Sequence, residues 1–273
     1  MNTIMESIMQ AARKELNRSM EQQEAAAVLK ILVSDFLHDN PSSFQKFEAA
    51  VKLCLQGVPV QYVVGYTIFS GCRIRVGPEV LIPRPETEEL VEMILGGTNA
   101  TEKLRLLDIG TGSGCIPVAM AKARLHWSIS ACDVSPTALE TARQNALFNG
   151  VNIDFFVGDI LSKQEIEVKE KYDLIVSNPP YVLPSEKGTM KRNVLEHEPH
   201  LALFVPDNDH LLFYRAILAH VPQLLSPGGS IWFECNERYA TEVGQLVQQA
   251  GFAEVMVIRD LSGKQRFVNA CYP

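Results

Sequence analysis

Apolar residues change their spacing as the chain proceeds, and each spacing predicts a different kind of element. In "MNTIMESIMQAARKEL" Ile4, Ile8, Ala11 and Leu16 recur at helical intervals. The same periodicity predicts helices through about Leu16, from about Glu21 to Leu37, and after Pro41-Ser42-Ser43, a helix-start signal. "GVPVQYVVGYTIFSGCRIRVGP", rich in Val, Ile, Tyr and Phe with glycines between, predicts a β-hairpin. After the turn and helix of "LIPRPETEELVEMIL", strands and helices alternate. The strands are "LRLLDI", "WSISACD", "NIDFFVG" and "DLIVSN", and the helices run from about Ser113 to Ala123, Pro136 to Phe148 and Asn208 to Leu225. "SIWFECN", "EVGQLVQQAG" and "AEVMVIRDLSGKQRFVNACY" then give a strand, a helix and a terminal hairpin. Apolar strands alternating with helices predict an α/β fold with a doubly wound, mostly parallel sheet covered on both faces. Residues 1–75 are expected to form a small helical domain ending in the hairpin, and residues 76–273 the sheet domain.

Composition narrows the partners. The 273 residues are 47% hydrophobic, enough for a sizeable core. Twenty-five Lys and Arg against 32 Asp and Glu leave a net charge of −7, a poor match for gripping duplex nucleic acid through its phosphates. Cys54, Cys72, Cys115, Cys132, Cys235 and Cys271 show no C-x-x-C spacing and read as reduced, mostly buried thiols. No apolar run approaches the roughly 18 to 20 residues of a membrane span, and the N-terminus lacks the pattern of a secretory signal. The expectation is a cytoplasmic protein without a membrane partner, and nothing requires more than a monomer.

Candidate chemistry begins at "LLDIGTGSGCIPVAMA", where Gly110, Gly112 and Gly114 follow a strand and precede a helix. Glycines let the backbone turn sharply and let a ligand approach closely, as at the switch point of open α/β sheets. The spacing is G-x-G-x-G rather than the dinucleotide pattern, but Asp133 ends the next strand, where an acid can accept hydrogen bonds from both hydroxyls of a ribose. Ser135 is the better cap for the helix that follows. Asp159, after the third strand, is placed to border an adenine. Asp108 either binds the ligand's amino group or braces the glycine loop. The loop has no Lys or Arg and no G-K-[ST], so the ligand is read as a nucleoside without phosphates, a description S-adenosylmethionine fits.

Directly after a buried strand comes Asn178-Pro179-Pro180-Tyr181. Two prolines stiffen the chain as it leaves the sheet, at the same carboxyl edge as the glycine loop. The Asn178 side-chain oxygen and the Pro179 carbonyl can accept both N–H groups of a planar –NH₂ and favour the positive charge that develops on nitrogen during methyl transfer. Tyr181 offers a flat face. Asn178, Pro179 and Tyr181 are therefore the expected catalytic residues.

With both motifs in view, the chain resembles the HemK/PrmC family of release-factor glutamine methyltransferases over nearly all its length. Besides "DIGTGSG" and "SNPPY", the resemblance rests on "QYVVGYTIFSG" (Gln61 to Gly71), "LIPRPETEELV" (Leu81 to Val91), "EPHLAL" (Glu198 to Leu203), "LLSPGG" and "DLSGKQR". It implies a helical N-terminal domain that recognises the release factor and a seven-stranded S-adenosylmethionine-dependent domain. The implied reaction is methylation of the glutamine amide in the Gly-Gly-Gln loop of peptide-chain release factors. Cofactor contacts map onto Gly110, Thr111, Gly112, Ser113, Gly114, Asp133, the Asp159-Ile160 pair and Asn178; substrate contacts map onto Asn178, Pro179, Pro180 and Tyr181. The chain departs from the family pattern at Ile160, where relatives often carry Trp, at His197, and in "FECN".

Arg84 and Glu86 are expected to pair in a lid-like loop over the methyl donor, although an acid at a helix start explains Glu86 equally well. His197 and His200 sit three apart, but Pro199 between them disfavours a shared helical face and no metal is expected. Lys187, Lys191 and Arg192 read as a solvated loop. Asn-Pro-Pro-Tyr also occurs in DNA amino-methyltransferases, which makes an exocyclic-amine methyltransferase the alternative enzyme and a noncatalytic nucleoside-binding module the alternative outside catalysis.

Overall fold

A computed structural model describes residues 3–37, 44–162 and 170–273. The chain divides into two compact units: residues 1–66 with 190–197, and residues 67–189 with 198–273. The expected boundary at residue 75 and this division at residue 66 bracket the hairpin.

The first unit contains α1 (Thr3–Ser19), α2 (Gln22–Phe36), α3 (Phe44–Leu55) and α4 (Val60–Val64). Leu16, Leu32 and Phe47 are fully buried in its core. On α1 the buried positions are Ala12 and Leu16, whereas Ala11 faces solvent, one residue round the helix from the expected stripe. The start signal at Pro41-Ser42-Ser43 lies outside the described residues. "VQYVV" forms a helical turn rather than a strand. Pro59 leads into α4, and Gly65, left-handed at φ 80°, closes it with its N–H on the Gln61 carbonyl at 2.8 Å. This flanking punctuation and the burial of Val60 in the helical core outweigh the β preference of three valines.

At the division of the units lie β1 (Tyr66–Phe69), whose first residue still belongs to the first unit, and β2 (Cys72–Arg75), joined through Ser70 and Gly71 at φ 45° and 74°. Two successive positive φ values suit a tight hairpin turn. There follow α5 (Pro85–Gly97), β3 (Arg105–Ile109), α6 (Cys115–Ala123), β4 (Ser128–Asp133), α7 (Pro136–Asn149), β5 (Asp154–Val157) and β6 (Tyr172–Ser177). After a 3₁₀ turn at Pro184–Thr189 come α8 (Arg192–His197, part of the first unit), α9 (His200–Leu203), α10 (Leu212–Leu224), β7 (Leu225–Glu234), α11 (Ala240–Gln249), β8 (Ala253–Arg259) and β9 (Gln265–Cys271).

The seven-stranded sheet has the order β5-β4-β3-β6-β7-β9-β8. All neighbours are parallel except at β9, which runs against both β7 and β8. Successive residues of β3 and β6 are buried, as central parallel strands covered on both faces require. Strand β7 begins at Leu225 rather than near Ser230, and its register with β6 shifts between Tyr172 and Leu174. Pairing places Ile109 beside both Cys132 and Ser177, and Ser177 beside Phe233. The residues that follow these strand ends, Gly110, Asp133, Asn178 and Glu234, therefore gather at one edge.

Candidate active site

Backbone conformation builds the glycine loop. Gly110 and Gly112 have φ of 76° and 54°, and a Cβ on either would meet nothing within 4 Å. The N–H groups of Gly110 and Thr111 both donate to the Cys132 carbonyl, at 2.9 and 3.0 Å, folding the loop over the end of β4. Asp133 fixes the rest. Its Oδ2 accepts from Gly112 N–H at 2.8 Å and its Oδ1 from Ser135 N–H at 2.9 Å. Burial raises the Asp133 carboxyl above its ordinary value despite those donors. Ser135 caps α7, its Oγ accepting from Ala138 N–H at 3.2 Å.

Of the two roles left open for Asp108, bracing the glycine loop is taken by Asp133. Asp108 is fully buried, and neither its carboxylate oxygens nor the Thr111 hydroxyl has a hydrogen-bond partner. Burial pushes its carboxyl up to about 7; the nearby Thr111 hydroxyl offsets this in part and the Asp133 charge adds to it. Gly114 also stands apart from its two companions. A Cβ there would lie 2.9 Å from Ala142 Cβ, so this glycine lets α6 pack on α7.

A cavity of about 340 Å³ collects most of the sequence candidates. Gly110, Thr111, Gly112, Ser113, Asp133, Asp159, Ile160, Asn178, Pro179, Pro180 and Arg84 line it; Asp108, Gly114, Tyr181 and Glu86 do not. Glu79, Asp133 and Asp159 are its acids, and among the described residues Arg84 is its one Lys or Arg. That charge balance suits a cationic ligand and not a phosphate. Asp159 turns one oxygen back on Leu161 N–H at 2.9 Å, while Ile160 packs against the main core.

The Asn-Pro-Pro-Tyr corner is held by side chains from distant elements. Asn178 Nδ2 donates to Thr87 Oγ1 at 3.2 Å, and Thr87 Oγ1 donates to Glu234 Oε2 at 2.6 Å. The Tyr181 hydroxyl donates to the other carboxylate oxygen, Glu234 Oε1, at 3.2 Å. Glu234 is 1% exposed. Its burial raises the carboxyl to about 7, opposed by Thr87, by the Arg266 charge and by Tyr181, and supported by Glu86. Burial first, then the Glu234 charge, pushes the Tyr181 phenol well above its ordinary range. Ser177 Oγ donates to the Ile109 carbonyl at 2.7 Å, tying the end of β6 to the end of β3.

The expected pairing of Arg84 with Glu86 does not form. Arg84 Nη2 instead pairs with Glu198 Oε1 at 2.7 Å, and Glu198 Oε2 accepts from Ile82 N–H at 3.2 Å. Glu86 occupies the first turn of α5, where an acid complements the helix dipole. Sequence reading missed Thr87, Glu234 and Glu198 as site residues, and also Asn145. The 1% exposed Asn145 donates to the Ser113 and Arg75 carbonyls at 2.8 and 3.0 Å and accepts from Arg75 N–H at 2.7 Å, joining the hairpin to the glycine loop.

A mostly parallel seven-stranded sheet with a glycine loop, a strand-end acid and an Asn-Pro-Pro-Tyr corner around one cavity defines a methyltransferase of the open α/β type. The model of the methyltransferase small domain matches residues 67–201. A methyltransferase from Pyrococcus furiosus shares the fold at a TM-score of 0.51 and 21% identity, over 74% of this chain and 89% of that one. Release factor glutamine methyltransferase from Flavobacterium psychrophilum is 42% identical over 87% of this chain and 84% of its own length. The enzyme of that name from Bacteroides thetaiotaomicron is 45% identical over 78% of this chain and 75% of its own. The chain belongs to the release factor glutamine methyltransferase family.

Proposed function

We propose that this protein transfers the methyl group of S-adenosylmethionine to the side-chain amide nitrogen of the glutamine in the Gly-Gly-Gln loop of peptide-chain release factors. The observation that carries this reading is one cavity with two kinds of wall: the glycine loop with Asp133 on one, Asn178 and Pro179 on the other. Among the described residues neither Asn178 Oδ1 nor the Pro179 carbonyl accepts a hydrogen bond, so two acceptors remain for a substrate –NH₂.

The residues present fit the methyl donor. The open space over Gly110 and Gly112 admits a close ligand, and the acids Glu79, Asp133 and Asp159 on the lining suit its positive charge. Asp133 keeps lone pairs for ribose hydroxyls, while Asp159 and Ile160 border the base as an acid and an aliphatic contact. When bound, the cofactor supplies an electrophilic methyl carbon on a sulfonium. Asn178 and Pro179 orient the substrate amide in line with that carbon. They would also stabilise the positive charge that nitrogen would gain as a new N–C bond replaced the S–C bond. The surplus proton on nitrogen leaves to water, because a protonated amide is a strong acid, and no dedicated base is needed. We assign release-factor recognition to the helical first unit and place the protein in the cytoplasm; no helix among the described residues is long and apolar enough to cross a membrane.

Incubation with labelled S-adenosylmethionine, purified release factor, a release factor with its loop glutamine replaced, and duplex DNA tests this reading. Label confined to that glutamine is expected on mapping by mass spectrometry. A folded release factor left unlabelled, or methyl groups appearing in the DNA instead, would reject it.

A further inference from the structure

An amide side chain has two ends of similar shape and opposite polarity. If Asn178 is to accept from a substrate N–H, its oxygen must face the substrate; a half-turn about the terminal torsion would present an N–H to an N–H. Nothing in the Asn-Pro-Pro-Tyr tetrapeptide decides between these orientations. The choice is made by Thr87, itself part of the cavity wall, and by Glu234 behind it. An ionised carboxylate only accepts, so once Glu234 has lost its proton the 2.6 Å contact with its Oε2 commits the single Thr87 hydroxyl proton to it. Thr87 Oγ1 is then left as an acceptor toward Asn178, and only the Nδ2 end can satisfy it, at 3.2 Å. The second oxygen of the same carboxylate holds the Tyr181 hydroxyl. One buried carboxylate on β7 thus orients both polar side chains of a corner that begins after β6.

We propose that Thr87 and Glu234 are positioning residues that lock the Asn178 amide with its oxygen toward the substrate. The proposal rests on the methyl-transfer reading in taking Asn178 Oδ1 as the substrate's acceptor; the orientation of the amide itself does not depend on it. In a Glu234→Gln variant the new amide can donate to Thr87 Oγ1, which frees the Thr87 proton to turn toward Asn178 and removes the directional bias. A Thr87→Val variant keeps the shape and removes the relay. A Thr87→Ser variant keeps the relay and loses one methyl group.

Two measurements test this. In steady-state methylation of release factor, Thr87→Val and Glu234→Gln are expected to lower kcat by about tenfold or more while the KM for release factor and the Kd for S-adenosylhomocysteine stay within about threefold. Thr87→Ser should retain most of the wild-type kcat. The Thr87→Val/Glu234→Gln double variant should be no worse than the poorer single one, because both break the same relay. In ¹⁵N-labelled protein, the Asn178 side-chain NH₂ protons should exchange with water faster in Thr87→Val than in wild type, and at the wild-type rate in Thr87→Ser. Unchanged kcat in Thr87→Val, losses that multiply in the double variant, or Asn178 exchange indifferent to Thr87 would each overturn the proposal. A wild-type protein that leaves release factor unmethylated would reject the assigned function instead, and the exchange measurement would still decide the orientation.

Discussion

The glycine-loop wall of the cavity and the Asn178 wall present similar polar atoms by different means. The first is almost entirely backbone from one strand-turn-helix, tied down by an acid 21 positions away. The second depends on side chains of α5, β6 and β7, with partners 91 and 147 positions apart in the chain. A wall made of backbone keeps its shape as long as its strands pair. A wall made of side chains can lose its polarity through one atom while its shape persists, and the two should therefore fail differently.

The largest effect is expected from Asn178→Ala. Removing an aligned polar group that acts on developing charge typically costs about 10² to 10³ in kcat, and cofactor affinity should stay nearly constant because the other wall is intact. Unchanged turnover would remove Asn178 from the mechanism. Asp133→Ala should give the opposite signature, about 10²-fold weaker cofactor binding, or roughly 2.7 kcal/mol, with turnover at saturating cofactor much less affected; calorimetric titration with S-adenosylhomocysteine reads it. If both variants lose turnover and affinity together, the two walls are not separable.

Asn145→Ala attacks the loop from beneath. It strands the buried Ser113 carbonyl, at about 1 to 3 kcal/mol if left unsatisfied, and frees the part-buried Arg75 carbonyl and N–H, so a clear fall in thermal stability should accompany weaker cofactor binding. A stable variant with normal affinity would show that the loop holds its shape unaided.

Acidity separates the walls more gently. In the folded chain Glu234 keeps its proton to about pH 7, against 4.5 for the ordinary side chain, while Tyr181, Arg266 and Glu86 face it. A raised carboxyl favours the folded state at low pH, fully so below 4.5, and this contribution is lost as pH rises through about 7. Glu234→Gln removes that loss. Its Tm relative to wild type is expected to climb between about pH 4.5 and 7 and level off above, by an amount on the order of 3 kcal/mol in stability; a flat or falling difference would place the carboxyl's titration elsewhere. Smallest of all is Tyr181→Phe, which leaves Thr87 bonded to Glu234 and should change kcat only a few-fold, about 1 kcal/mol.

The same contrast explains what was legible in the sequence. The alternation of strands and helices, the glycine loop, Asp133, the Ser135 cap and the Asn-Pro-Pro-Tyr corner all express rules acting within a few residues, and the structure brings most of these candidates to one cavity. Thr87 lay inside the quoted "LIPRPETEELV" and Glu234 inside "FECN", yet no local rule joins a helix-start threonine to a strand-end glutamate. Arg84 was drawn to the wrong acid for the same reason: Glu86 is near in sequence, whereas Glu198 is near in space. At "VQYVV" a local preference for strand yielded to Pro59, Gly65 and the packing of Val60. Gly114 looked like its two neighbours in the motif, and only the approach of Ala142 shows that it serves packing.

The order of strands at the far side of the sheet bears on how the molecule is made. Strand β9 lies between β7 and β8, although the ribosome produces it after both. Until it emerges, β8 has no neighbour to join, and Glu234 lacks its cross-strand partner Phe267 and the nearby charge of Arg266. A nascent chain that has already made the glycine loop and the Asn178 corner would still carry an unfinished carboxylate behind them. Competence for methyl transfer would then arrive late in translation, with the closing hairpin.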